Sequence, residues 1–124
     1  MSAESEAIAV EVQAERDRQD QKWGEQNHPD GTGPSRMILG DLKYTKAFDG
    51  HRGISLATAS ADVLAGCAKQ VTDSAAKQGN VFWQDILLEE VFEAFAESDT
   101  SKLRTELIQV AAVAQQWVEA IDRR

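Results

Sequence analysis

Apolar positions recur at intervals of three and four along most of this chain rather than alternating, so helices are the expected elements. Over residues 4–22 the apolar stripe is thin: Ile8, Val12 and the alkyl part of Glu15 or Arg16, with charge elsewhere. That pattern predicts an outer helix ending at Gly24. Residues 57–78 place Ala57, Ala61, Leu64, Ala68, Val71 and Ala75 on one face, small enough for close helix approach. Gly79-Asn80 then reads as a helix stop and turn. Residues 82–97 carry Leu88, Val91, Phe92 and Phe95 on one stripe and Glu90, Glu93 and Glu97 opposite. The last helix has no charged residue between Glu106 and Glu119, and Val110, Ala111, Val113, Ala114, Trp117 and Val118 spread around it, so it should be buried on more than one side.

The chain is organised around residues 85–116, which read as a helical hairpin. Glu97-Ser-Asp-Thr-Ser101 forms the bend; Ser98 or Thr100 is the expected cap of the second arm, with Asp99 and Ser101 in the turn. Measured from a bend centred between Asp99 and Thr100, Glu93 and Glu106 lie equally far out on opposite arms, as do Glu90 and Gln109. At the helical rise these two levels stand about 10 and 14 Å from the turn. Within each arm the two members are three residues apart, so they share a face. Taken alone, the glutamates of the first arm are an ordinary wet surface. Glu106 changes that picture, because it borders the Leu103, Leu107, Val110 stripe, where an unpaired carboxylate is costly. Three carboxylates and an amide facing each other form a hard-oxygen nest suited to Mg²⁺, which is completed by waters and substrate phosphates.

Residues 23–56 break the helical pattern. This segment holds six of the eight glycines, both prolines and both histidines, and only 37–48 reads as a short helix. A loop of this length is either a functional lid or without fixed structure. Trp23 either caps the core beside the first helix or, with Glu25, Gln26, Asn27 and His28, covers or stacks on a nucleobase. Asp62, Gly66, Lys69 and Asp73 line up opposite the apolar face of their helix. That line is a solvated face, or else Lys69 meets a phosphate and Asp73 adds a carboxylate to the nest. Lys77, Lys102 and Arg104 are further candidates to take up anionic charge.

Composition narrows the function. At 124 residues the chain is expected to be a single domain, 1–124, with one core. Twenty-one acidic against thirteen basic residues give a net charge of −8, which argues against a sequence-independent grip on nucleic acid. An acidic protein that handles polyphosphate needs a cation. The lone Cys67 forms no internal disulfide and is most simply a small packing residue. No apolar run approaches the ~20 residues that span a bilayer, and the acidic start lacks a signal peptide's pattern, so a soluble cytoplasmic protein with no membrane partner is expected. Glu-x-x-His pairs, a P-loop, a Gly-x-Ser-x-Gly elbow and a Cys/His zinc pattern are all missing.

Glu90-x-x-Glu93, twelve residues, then Glu106-x-x-Gln109 resembles the ExxE…ExxD signature of the MazG-like, all-α nucleoside triphosphate pyrophosphohydrolases, and Glu89-Glu90-Val-Phe-Glu93 is similar to their EExxE form. The run from Glu15 to Asp30 resembles phage and actinobacterial members. Gln109 stands where the family usually has Asp, which makes the fourth ligand a neutral amide oxygen. The resemblance implies an all-α fold: a four-helix, MazG-like bundle with a long Gly-rich loop between its first and second helices, assembled as a homodimer or higher homo-oligomer. It implies Mg²⁺ (or Mn²⁺) held by Glu90, Glu93 and Glu106 with Gln109 as a weak fourth ligand, and hydrolysis of a nucleoside triphosphate to monophosphate and pyrophosphate. Trp23, Lys69, Asp73 and Arg104 are then the candidates for substrate contact. Two other readings fit the same residues: a homologue that binds nucleotide or metal with little turnover, and an acidic helical module that engages a partner protein.

Overall fold

The computed structural model describes residues 2–39, 42–48 and 58–124, and every regular element among them is helical: α1 (Ala3–Trp23), α2 (Leu42–Phe48), α3 (Ala61–Gln78), α4 (Trp83–Phe95) and α5 (Thr100–Asp122). Four long helices match the four predicted, and α2 falls within the short helix expected over 37–48, covering its second half. Residues 40–41 and 49–56 of the 23–56 segment, and Ala57 at the start of the next predicted helix, lie outside the described residues.

Local chemistry sets the boundaries. Ser2 Oγ accepts from Ser5 N at 3.1 Å at the start of α1. Ser60 Oγ accepts from Val63 N at 3.3 Å, so α3 begins at Ala61. Gly79 ends it with φ 72°, and Asn80 N donates to Ala75 O at 2.9 Å, satisfying a carbonyl the helix leaves open. The bend is capped by Asp99, whose Oδ1 accepts from Ser101 N at 2.9 Å and Lys102 N at 3.2 Å. This corrects the expectation of a Ser98 or Thr100 cap: a carboxylate at this position accepts two orphan N–H groups at once and favours the helix dipole. The first arm also stops earlier, at Phe95 rather than 97.

The helices pack in the order α1–α5–α4–α3–α2. Among the described residues α1 and α3 do not pack on each other, so the four long helices form an open arrangement, not a closed ring. Tyr44, Ala47, Cys67, Ala68 and Val71 form the core between α2 and α3, with Leu88 and Phe92 of α4 packed against it. Cys67 is buried there, as its Ala-rich setting suggested. Arg16, 3 % exposed, ties α1 to α5 through Glu119 and bonds Asp20 at 3.1 Å on its own helix. This polar link, rather than Ile8 (45 % exposed), anchors α1.

The stretch after α1 is a strap across the ends of α4 and α5. Trp83 N donates to Pro29 O at 2.9 Å and Gln84 N to Asp30 O at 3.1 Å, so the strap satisfies the first amides of α4. Trp117 Nε1 donates to Asp30 Oδ1 at 2.8 Å, and Arg124 holds both oxygens of the same carboxylate at 2.6 and 3.0 Å. Gly31, at φ 75°, lies so close to Phe82 that a Cβ would come within 2.6 Å of that ring. Beneath the strap Trp83 is fully buried, stacked on Trp117 at 6.4 Å with His28 edge-on at 5.0 Å. Trp83 and Trp117 therefore cap this end of the core, and Trp23, 54 % exposed, does not.

Candidate metal centre

The unfilled gap between α1 and α3 is a solvent-open cavity of about 780 Å³ whose back wall is α4 and α5. At its edge the hairpin brings its acidic groups together. Glu90 and Glu93 from α4 and Glu106 from α5 each offer a carboxylate oxygen, and these three oxygens lie within 4.8 Å of one another. They are the one such cluster of His, Cys, Asp or Glu among the described residues, and all three side chains are half-buried.

Crowding and burial act on these carboxylates in the same direction. Partial burial, and then the charges of Glu93, Glu89, Glu106 and Glu15, push Glu90 up to about 7. Glu89 is raised to about 7 as well, by burial first and Glu93 second, against the opposing pull of a Thr72 hydrogen bond and Lys69. Glu106 is raised by burial, Glu93 and Glu97. Such a nest strains against its own charge and is relieved by a proton or a cation.

Gln109 lies where the spacing puts it, between the two arms. Of its two amide orientations, only one gives both ends a proper partner: Nε2 donates to Glu90 Oε2 at 3.2 Å and to Glu106 Oε2 at 3.1 Å. In this arrangement the side chain is a donor bridging two carboxylates rather than the oxygen ligand expected from its spacing.

The other candidates divide. Trp23, Lys69 and Asp73 all line the cavity. Lys69 Nζ donates to Asp73 Oδ2 at 3.2 Å, and this exposed pair faces Glu89 and Glu90 across the opening. Lys22 Nζ sits 4.5 Å from the centre of the Trp23 ring, covering one of its faces. Arg104 does not belong to the site: both its terminal nitrogens donate to Glu11, at 3.0 Å for the Nη1–Oε1 pair, and it is absent from the cavity lining. Its position one residue past Leu103 turns it away from the face that carries Glu106.

Sequence reasoning passed over Gln19 and Gln116, and met Glu89 only as the first member of the Glu89-Glu90-x-x-Glu93 run. Glu89 reaches the cavity because α3 as well as α5 packs on α4, so two adjacent faces of α4 border the site. Gln116 was detectable by periodicity: Glu106, Gln109, Val113 and Gln116 follow steps of three, four and three along one face of α5. Comparison of the chain with protein-family profiles, curated proteins and solved structures finds no match.

Proposed function

We propose that this protein is a divalent-metal-dependent nucleoside triphosphate pyrophosphohydrolase, releasing nucleoside monophosphate and pyrophosphate, with Mg²⁺ as the cation and Mn²⁺ as a substitute. One observation carries this reading: carboxylate oxygens of Glu90, Glu93 and Glu106, from both arms of the hairpin, converge within 4.8 Å at the edge of a nucleotide-sized cavity. An all-oxygen, all-carboxylate donor set of this size fits a hard dication. These three residues would hold it; once bound, it supplies charge neutralisation for the polyphosphate and acidifies a coordinated water.

The chain's own residues do the rest. Glu89 lines the cavity next to the three ligands, where its carboxylate is placed to accept a proton from the attacking water. Lys69, its ammonium stabilised by Asp73, meets phosphate charge at the mouth of the cavity. Trp23 offers its uncovered face at the rim, and His28, kept neutral by burial, stands beside the inner wall. The exposed apolar side chains Val10, Phe95, Leu107, Val118 and Ile121 support assembly as a homodimer or larger oligomer.

The Gln109 amide favours one second reading, binding with little turnover, because its N–H groups bond an oxygen on each of two carboxylates that would hold a cation. A pyrophosphate-release assay with a panel of nucleoside triphosphates and Mg²⁺ separates the two. Release that is abolished in Glu93→Ala supports the hydrolase; Mg²⁺-dependent nucleotide binding without release supports the second reading; neither binding nor release overturns both.

A further inference from the structure

After α1 the chain has no helix or strand over residues 24–33, yet this strap supplies part of the cavity wall. Gln26 and His28 both line the cavity, both are half-buried rather than enclosed, and Gln26 Oε1 lies 3.3 Å from His28 Nε2. Side chains on a stretch without regular structure keep a fixed place only if residues from elsewhere support them. Two arginines just past α5 give that support. The Arg123 guanidinium reaches three consecutive strap residues: Nη2 donates to Gln26 O at 2.9 Å and to Asn27 Oδ1 at 3.2 Å, and Nε lies 3.3 Å from Glu25 Oε1. Arg124 grips both oxygens of Asp30. The two cations thus hold the strap on either side of His28. Glu90 is seven residues along α4 from Trp83, where the strap is bonded, and Gln109 is eight residues before Trp117 on α5, so carboxylate cluster and strap stand roughly 10–12 Å apart along both helices. The cavity runs between them.

We propose that Arg123 and Arg124 are positioning residues for ligand recognition: they hold Gln26 and His28 as the wall that meets the nucleoside of a bound nucleotide, so that the site distinguishes a nucleoside triphosphate from bare polyphosphate. The inference rests on the nucleotide reading given above for the phosphate end, but concerns residues at the opposite end of the cavity. With the clasp cut, the strap has to be ordered at the moment of binding. That cost falls on a ligand that touches the strap and spares one that does not.

The test is calorimetric titration in Mg²⁺ with two probes, the α,β-imido nucleoside triphosphate of the best-bound base and inorganic tripolyphosphate. Native protein should bind the nucleotide analogue at least tenfold more tightly. Arg123→Ala and Arg124→Ala should each weaken the analogue at least fivefold and tripolyphosphate less than twofold, and Arg124→Lys, which keeps a cation on Asp30, should recover most of the loss. Gln26→Ala leaves the main-chain bond to Arg123 intact and should weaken the analogue alone; it carries the test should an arginine variant fail to fold by circular dichroism. Tripolyphosphate separates positioning from charge, because arginines that merely attracted anions would lose it at least as strongly as the nucleotide. Equal binding of the two probes by native protein, or variants in which both probes weaken together or neither does, overturns the inference and leaves the phosphate-end reading standing. Arginine-dependent selectivity without pyrophosphate release upholds it while the hydrolase reading fails. Absence of binding by either probe sinks both.

Discussion

Replacing Glu90 by Gln should stabilise the metal-free protein at neutral to alkaline pH. Glu90 titrates near 7 instead of its ordinary 4.5, so the folded state binds more protons than the unfolded chain across that interval. Stability linked to this group is greatest below pH 4.5 and is lost as pH rises through 7. At about 1.4 kcal/mol per pH unit the full displacement corresponds to roughly 3 kcal/mol, and partial exposure with solvent screening brings the realised effect to about 1–2 kcal/mol. For a domain of 124 residues that is a rise in melting temperature of roughly 3–8 °C. Glutamine retains an oxygen to accept from Gln109 Nε2, so the gain is not cancelled by a newly orphaned donor. Thermal melts of native protein and Glu90→Gln in EDTA at pH 4 and pH 8 should coincide at the lower pH and separate at the higher, with the variant more stable. Adding Mg²⁺ should reverse the order, because ligation stabilises only the protein with its carboxylates complete. A variant that melts lower than native protein at pH 8 in EDTA, or a difference that ignores pH, refutes the account of the cluster as electrostatically strained.

Gly31→Ala should destabilise the fold by about 2 kcal/mol in urea denaturation, since it combines a left-handed backbone with a Cβ 2.6 Å from Phe82. The Arg124 guanidinium and then the Trp117 indole hold the Asp30 carboxyl down at about 2, so its contribution is present above the ordinary value of 3.8 and fades as pH falls toward 2. Melts between pH 4.5 and 2.5 should accordingly fall less steeply for Asp30→Asn than for native protein. Arg104→Ala should release pyrophosphate at the native rate, because Arg104 is committed to Glu11 on α1 and lies outside the cavity; a loss of more than threefold would return it to the site.

The parts of this structure that were legible in the sequence are those fixed by local periodicity. The hairpin and the pairing of Glu93 with Glu106 follow from the helical repeat and a bend rich in capping residues, and neither needs knowledge of the remaining helices. What sequence could not supply was set by contacts between distant segments. The sequence pointed to Trp23 as a cap of the core; Trp83 takes that place because the Pro29 and Asp30 carbonyls hold the start of α4 under the strap. Arg104 sits among the right neighbours in sequence, but Glu11 of α1 claims it. The anchoring of α1 was hidden for a related reason: its buried residues are Arg16 and Gln19, and a hydrophobic-pattern reading finds no core face in them.

The identity of residue 109 follows from the same electrostatics that perturb Glu90. An Asp there would add a fourth carboxylate to a cluster in which Glu90, like its neighbour Glu89, is already displaced to about 7, and would raise these groups further. An amide removes that charge and, by donating to Glu90 and Glu106, links the two arms when no cation is bound. The exchange lowers the net negative charge that would attract a dication, so under the proposed function metal affinity would be weaker, while the amide ties the two arms of the hairpin together. In the open arrangement of helices this compensation has a structural reason. The gap between α1 and α3 denies α4 and α5 a covering helix at that edge, and the Gln109 bridge supplies part of the cohesion that a closed bundle would have provided.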